Sequence, residues 1–148
     1  MDAKDKLFGQ MVSHIAASHQ LHYDMTKGMP MDDITPLQYE IMEFLTVKQP
    51  ITLSEISDCK GISMPNTSRE IRKLTEKGLC EKIEDREDRR KQYIRLSTLG
   101  EEKMGMAFGH MRQLFLQQIE HVPEADLARI SEALEVLGRT IFRENANS

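Results

Sequence analysis

Residues 52–78, TLSEISDCKGISMPNTSREIRKLTEKG, contain two short helical segments separated by a glycine. A Thr-x-x-Glu capping box at the start predicts a helix that opens at Thr52 and ends near Lys60. Gly61 then supplies the left-handed residue of a tight turn, and Ser63 caps the next helix. Two short helices joined by a glycine-containing turn predict a helix-turn-helix.

The second helix of this pair is predicted to span residues 64–77 and to act as the recognition helix. Thr67, Ile71 and Leu74 recur at helical spacing, so they are expected to point inward. The side chains left towards DNA or solvent are Met64, Pro65, Asn66, Ser68, Arg69, Arg72 and Lys73.

These outward residue types suit DNA contacts. The fork of Arg69 can bind guanine or phosphate, and Asn66 can read adenine. Ser63 and Ser68 suit phosphate oxygens. For Arg72 and Lys73 a solvated helix face and a phosphate contact are equally compatible with the sequence, because both use the same residues.

A basic hairpin is predicted directly after the recognition helix. Leu79, Ile83 and then residues 93–96 indicate two short strands, and the charged run EDREDRRK occupies residues 84–91 between them. Such a run is either a solvated hairpin tip or the wing of a winged helix. As a wing it would place Arg86 and Arg89 nearest the tip, within reach of a minor groove, followed by Arg90 and Lys91.

The flanking segments predict longer helices, at residues 3–27, from residue 36 to near residue 48, at 98–120 and at 124–143. Thr35 and Gln38 are expected to form a capping box at the start of the second of these helices. The fold class is therefore mainly α with a small β-hairpin wing. In the last helix Leu127, Ile130, Leu134, Leu137 and Ile141 form a heptad seam, which is typical of packing between helices. We expect a single domain over residues 1–148, with the winged helix-turn-helix at 34–100 and dimerisation helices at 1–33 and 101–148.

The net charge of −4 hides an uneven distribution. Residues 60–95 hold 11 Lys and Arg against 7 Asp and Glu, which leaves the rest of the chain acidic. Because phosphate contacts are local, this basic region is compatible with binding to nucleic acid. The N-terminus has no apolar signal segment, and no stretch is apolar enough to span a bilayer, so a cytoplasmic protein without a membrane partner is expected.

Four stretches match motifs of one known family: ISMPNTSR at 62–69, LTEKGL at 74–79, DRR at 88–90 and LSTLG at 96–100. With these motifs and this helix order, the chain resembles the multiple-antibiotic-resistance regulator (MarR) family over nearly its whole length. The resemblance implies an obligate homodimer on double-stranded DNA, commonly a repressor, and many regulators of this family release DNA when a small aromatic or lipophilic ligand binds. It also implies that Asp88 pairs with Arg90 and supports the shape of the wing.

Flexible and amphipathic side chains are concentrated on the helices that flank the junction between the dimer helices and the winged unit. Thioethers can re-pack around varied ligands, while His and Tyr can orient a phenol or a carboxylate. We therefore expect a pocket for an apolar or phenolic effector, with a well-filled core as the alternative. The candidate lining residues are Met11, His19, His22, Met25, Tyr39, Met42, His110, Met111 and Phe115.

Metal and redox triggers are less favoured by the sequence. His19 and His22 are one turn apart and could share a ligand face with His110, but no carboxylate or Cys clearly completes a tetrahedral set, so neither a metal nor another cofactor is expected. Cys59 and Cys80 form no motif, and we expect both to be buried structural thiols rather than redox sensors.

Other classes of function were weighed against DNA binding. The sequence has no Gly-rich phosphate loop, no nucleophile motif and no paired-His zinc motif, so an enzyme is not expected. The alternative is a winged-helix module that binds proteins and has lost DNA binding. Such a module has no need of four basic residues in its wing, which favours a DNA-binding regulator.

Overall fold

The computed structural model describes residues 2–29, 31 and 33–142. Contacts within the chain divide it into two compact units, residues 1–111 and 112–148, and each unit is described by itself. Among the described residues no helix is both long and apolar enough to cross a membrane.

Within these described residues, six helices and three strands follow one another in the order that the sequence predicts, apart from one extra strand. The elements are α1 (Ala3–Thr26), α2 (Pro36–Lys48), β1 (Ile51–Thr52), α3 (Leu53–Lys60), α4 (Met64–Glu76), β2 (Cys80–Glu84), β3 (Gln92–Leu96), α5 (Thr98–Gln118) and α6 (Glu124–Thr140). The predicted fold class, mainly α with a β-hairpin wing, is confirmed.

Side chains cap the helices of the helix-turn-helix region. Thr35 and Gln38 form the predicted capping box of α2, and the Ser63 hydroxyl accepts from the backbone N–H of Asn66 at 3.3 Å. The Thr52 hydroxyl likewise accepts from the Glu55 N–H at 3.2 Å. The carboxylate of Glu55 accepts from the Thr52 hydroxyl rather than from the Thr52 backbone, so this second capping box forms only in part.

The sheet is antiparallel and three-stranded, in the order β1-β3-β2. In the hairpin Cys80 lies opposite Leu96, and on the other side of β3 Ile51 pairs with Ile94. The strand β1 was not predicted, because two residues are too few to show an alternating pattern. It ties the start of α3 to the hairpin and so fixes the base of the wing.

The core of the first unit is built from one apolar face of each short element. Fully buried side chains come from α2, α3, α4, the hairpin and α5, and they are Ile41, Met42, Leu45, Ile56, Ile71, Leu74, Ile94 and Met104. Helix α4 therefore packs directly on the core of the helix-turn-helix region.

The turn after α4 is a Schellman motif. Gly78 has φ 75°, its N–H donates to Thr75 O, and the Leu79 N–H donates to Leu74 O, each at 2.9 Å. A left-handed residue is needed here, which only Gly adopts without a steric penalty. Leu74 and Leu79 are both buried, so the turn also closes the core beneath the recognition helix.

The start of α5 packs closely against the same turn. The Ser97 hydroxyl donates to the Gly78 carbonyl and accepts from the Gly100 N–H at 3.0 Å. The Ser97 N–H donates to Leu79 O at 2.9 Å. The LSTLG stretch therefore joins the recognition helix, the hairpin and α5 at one corner.

Apolar side chains are exposed in both units. In the first unit no residue of α1 is buried, and the exposed fraction of Phe8 is 72%. In the second unit α6 exposes Leu127, Ile130, Leu134 and Ile141, with Leu134 at 56%. The last helix was predicted to reach residue 143, but it ends at Thr140, and residue 143 lies outside the described residues.

Candidate nucleic-acid interface

The recognition helix α4 separates a buried face from an exposed one. Thr67, Ile71 and Leu74 are fully buried, and the Thr67 hydroxyl donates to the Ser63 carbonyl at 2.9 Å, which satisfies the one polar group of that face. The predicted DNA-facing residues are all exposed; they are Ser63, Met64, Pro65, Asn66, Ser68, Arg69, Arg72 and Lys73.

The charges on this exposed face are not all equally available. Lys73 lies 3.7 Å from the carboxylate of Glu70, one turn earlier on the same helix. Within the part of the chain that the structure describes, Arg69 and Arg72 have no carboxylate within ion-pair distance. The two arginines are therefore the cations of α4 best placed to bind a phosphate or a base edge.

The wing is the loop of residues 85–91 between β2 and β3, and two aspartates shape it. Asp85 accepts from the Glu87 N–H and Asp88 from the Arg90 N–H, each at 3.0 Å. The Asp85 N–H also closes the loop by donating to Lys91 O at 3.1 Å. Asp88 thus supports the hairpin through the backbone of Arg90 and not through its guanidinium, which corrects the form of the expected pair.

The arginines of the wing point into solvent. Arg86, Arg89, Arg90 and Lys91 are all exposed, and none of them has an acidic partner within 4.0 Å among the described residues. By contrast Arg95, at the base of the hairpin, pairs with Glu81 across the strands at 3.0 Å. The cations at the tip are thus free for a polyanion, while the one at the base is paired.

The sequence of this region also matches a known protein family. The MarR family model matches residues 34–91, from the segment before α2 to the end of the wing. The chain carries a MarR domain. Because proteins of this family are transcription regulators and not enzymes, residues 34–91 are identified as a DNA-binding domain of that kind.

Solved structures share the fold of the MarR domain and its flanking helices. A MarR family protein from Bacillus stearothermophilus has a TM-score of 0.72 at 18% identity, covering 96% of this chain and 99% of that one. The transcriptional regulator BldR from Sulfolobus solfataricus gives 0.69 at 18% identity, with 97% and 99% covered. Streptococcus pneumoniae FabT, solved in complex with DNA, gives 0.60 at 15% identity, with 97% and 96% covered.

At these identities the likeness shows the fold. No curated protein matches the sequence.

The residues predicted to line an effector pocket do not form one together. Tyr39, Met42 and Met111 are buried in the core, where the Tyr39 hydroxyl donates to the Met111 sulfur at 3.5 Å. Burial, followed by the charge of Glu43, raises the pKa of Tyr39 far above its usual range, so the phenol is neutral. These three side chains therefore belong to the packed core and do not line the wall of a pocket.

The remaining candidates are scattered. Met11, His22 and Met25 are half-buried, His19 is exposed, and Phe115 belongs to the second unit. The His22 ring nitrogen Nε2 lies 2.8 and 2.9 Å from the two carboxylate oxygens of Glu43, which joins α1 to α2. Within residues 2–29, 31 and 33–142 no three His, Cys, Asp or Glu side chains are grouped to hold a metal ion.

One cavity of about 370 Å³ does lie beside the MarR domain in the first unit. Its walls are mostly apolar, with one ammonium and one imidazole at α5, and it is lined by Met29, Met31, Ile34, Lys103, Met106, Ala107 and His110. Of the nine predicted effector residues only His110 lines it. The segment before α2 supplies the other wall, which helix periodicity could not indicate because that segment is not helical.

The two cysteines differ, so the expectation that both are buried was wrong for one of them. Cys80 is buried at the start of β2, and burial raises the pKa of its thiol to about 12. Cys59 is exposed, because the eight-residue helix α3 turns Ile56 and Ser57 to the core and Cys59 lies to the side of that face. Its neighbour Lys60 places its ammonium 5.9 Å from the ring centre of Phe44.

The sequence did not reveal the second role of one residue of the site. Gln38 was recognised as part of a cap, but its side chain also reaches the recognition helix: Nε2 donates to Glu70 at 2.9 Å and Oε1 accepts from Lys77 at 3.1 Å. A polar residue on the inward face of α2 was the available signal, since buried polar groups need partners.

Proposed function

We propose that this chain is a repressor that binds a near-palindromic operator as a homodimer in the cytoplasm. The observation that carries the proposal is the exposed face of α4, which presents Asn66, Arg69 and Arg72 on a helix whose other face is buried in the core. Asn and Arg are the residue types that read adenine and guanine edges in a major groove. Ser68 and the partly paired Lys73 suit phosphate contacts beside them.

The wing would supply the second contact. Arg86 and Arg89 are exposed on a loop whose shape is held by hydrogen bonds from backbone N–H groups to the Asp85 and Asp88 carboxylates, so they can enter a minor groove without first ordering the loop. Arg90 and Lys91 would contact the neighbouring backbone. Asp88 would act only in shaping this loop.

Exposed apolar faces support a homodimer. The α1 side chains Leu7, Phe8 and Ile15 and the α6 side chains Ile130 and Leu134 are all exposed in the single chain. Covering apolar surface of this extent is favourable by about 25 cal/mol per Å², and a second copy can cover it symmetrically. Residues 1–33 and 101–148 are therefore proposed as the dimerisation helices.

An apolar or phenolic effector is the proposed release signal. The cavity of about 370 Å³ supports it, because apolar walls with few polar groups suit a small aromatic molecule. Lys103 and His110 would face the carboxylate or hydroxyl of such a molecule. Ligand and operator would oppose each other, with a coupling of about 1–3 kcal/mol.

Selection of binding sites from random duplex DNA tests this function. A homodimer is expected to enrich a site with two inverted half-sites about 10 base pairs apart. The purified chain should bind the selected site far more tightly than shuffled DNA of equal length. Failure to enrich any sequence, together with no retention on heparin at low salt, would favour a protein-interaction module instead.

A further inference from the structure

A buried amide joins the recognition helix to the helix before it. Gln38 of α2 is 1% exposed, and its side chain makes three hydrogen bonds. Its Nε2 donates to Glu70 at 2.9 Å, while Oε1 accepts from the Thr35 N–H at 3.2 Å and from Lys77 Nζ at 3.1 Å. We refer to Gln38, Glu70 and Lys77 as the Gln38 clamp.

The clamp holds the recognition helix at two separate points. Glu70 lies in the middle of α4, next to Arg69, and Lys77 is the residue at its C-terminal cap. Seven residues of α-helix rise about 10 Å, so the two points are well separated along the axis. Because both bonds end on the one buried amide of Gln38, sliding or turning of the helix about its axis would strain or break a part-buried hydrogen bond.

Apolar packing alone would specify this orientation less sharply. Thr67, Ile71 and Leu74 bury the inward face of α4, but apolar contacts are non-directional and allow small rotations. A buried hydrogen bond to a charged group has a defined geometry, and losing one partner costs the desolvation of the other. The Gln38 clamp therefore adds a direction to the contact between α2 and α4.

We propose that Gln38 is a positioning residue for operator reading, which acts through Glu70 and Lys77 to fix the rotation of the recognition helix and hence the direction of Arg69. The inference rests on the proposed function. It predicts that disturbing the clamp lowers the discrimination between operator and random DNA, because phosphate contacts tolerate a rotated helix better than base contacts do.

A donor–acceptor swap tests the proposal in the full-length chain. Gln38→Glu sets two carboxylates against each other, and the ratio of operator to random-DNA affinity is expected to fall about tenfold, in line with the loss of one hydrogen bond to a charged group. Adding Glu70→Gln restores the bond with its direction reversed, so the double variant should return to within about twofold of the wild type. Val47→Glu, at an exposed position on the same helix α2, is the matched control for the added charge.

Variants at a second position separate an effect on helix positioning from a loss of folded protein. Glu70→Ala removes the acceptor at a less buried position and should also lower the affinity ratio, while Glu70→Gln alone keeps an acceptor and should not. Thermal unfolding of each variant separates stability from positioning, because a purely structural role lowers the unfolding temperature and leaves the ratio unchanged. That outcome in Gln38→Glu and Glu70→Ala would overturn the proposal.

The same titrations distinguish this inference from the proposed function. If the wild type shows no preference for any selected sequence, operator binding itself is wrong. If the wild type discriminates and the clamp variants discriminate equally well, only the role of Gln38 is wrong.

Discussion

A β-carbon added at Gly100 would lie 2.2 Å from the main-chain carbonyl oxygen of Leu79. The obstacle is backbone that already accepts the Ser97 N–H, so it cannot give way as a flexible side chain would. The glycine in the LSTLG stretch is thus explained by a close approach between the start of α5 and the turn that follows the recognition helix.

Gly100→Ala is therefore expected to lower the free energy of unfolding by about 1–3 kcal/mol, the usual range for overpacking. Chemical denaturation measures it. Gly105→Ala lies on the same helix with no atom within 4 Å of the added β-carbon, and it should leave stability unchanged or raise it by up to about 1 kcal/mol. Equal effects at the two positions would contradict the close approach.

Two arginine variants separate base reading from backbone contact. Arg69→Ala should weaken operator binding by about 1–3 kcal/mol and random DNA less, whereas Arg89→Ala should weaken both and reduce the salt slope by about one. Fluorescence anisotropy at several salt concentrations measures both effects. Arg129→Ala removes an exposed arginine from α6 and serves as the control. Unchanged binding in both test variants would show that α4 and the wing are not the DNA contacts.

A charge on the apolar face of α6 should prevent association. Leu134 is exposed in the single chain, and Leu134→Glu would bury a carboxylate in the proposed dimer interface, so a monomer is expected at micromolar concentration. Sedimentation measures the oligomeric state. Glu132→Lys changes charge at an exposed position outside the heptad seam and should remain dimeric. A wild-type monomer would remove the basis of this prediction.

The two thiols should react at very different rates. At pH 8 an aromatic disulfide reagent is expected to modify Cys59 quickly and Cys80 only after unfolding, because Cys80 is buried as a neutral thiol. Cys59→Ser should therefore abolish the fast phase, which is followed by the absorbance of the released thiolate. Fast loss of two thiols from the folded wild type would contradict the burial of Cys80.

The raised pKa of Cys80 also predicts a pH dependence of stability. Its pKa rises from an ordinary value of 9.0 to about 12 in the folded chain, so between these values the unfolded thiol ionises while the folded thiol keeps its proton. The unfolded state then binds fewer protons, and the free energy of unfolding falls as pH rises above about 9. Measuring the free energy of unfolding against pH in the wild type and in Cys80→Ala isolates this contribution from that of Tyr39. Parallel curves for the two proteins would contradict it.

Ligand binding to the cavity should depend on its one ammonium group. Titration with salicylate is expected to be weaker by about tenfold in Lys103→Ala, since a hydrogen bond between charged groups contributes on the order of 1.5–3 kcal/mol. Release of operator should require correspondingly more salicylate. His14→Ala, an exposed histidine of α1, is the control. Equal affinity in both variants would exclude Lys103 from the site.

Local signals in the sequence predicted the framework of this molecule well. Caps such as Thr35 and Ser63 act through residues three positions away, so the sequence contains both partners of each interaction. The inward stripe of α4 was equally clear. The predicted DNA-facing residues are exposed, although their contacts with DNA stay a prediction.

Features that depend on distant partners were not predictable. The bonds from Gln38 to Glu70 and Lys77 span 32 and 39 residues, and no local pattern connects them. Cys59 was misplaced because a helix of eight residues has too few buried positions to define its face. The effector residues were predicted from positions on helices alone. One wall of the cavity is instead formed by Met29, Met31 and Ile34, which lie between α1 and α2.

The wing has a kinetic consequence that follows from its own balance of charge. The wing together with Glu84 at the end of β2 contains four acidic and four basic side chains, held close together by the Asp85 and Asp88 turns. Beyond a Debye length of about 8 Å such a loop is electrically neutral, so it cannot steer the protein towards DNA. In the proposed complex its arginines would act only at close range, after α4 has docked. The wing would therefore lengthen the lifetime of the complex while leaving the rate of encounter to the rest of the basic region.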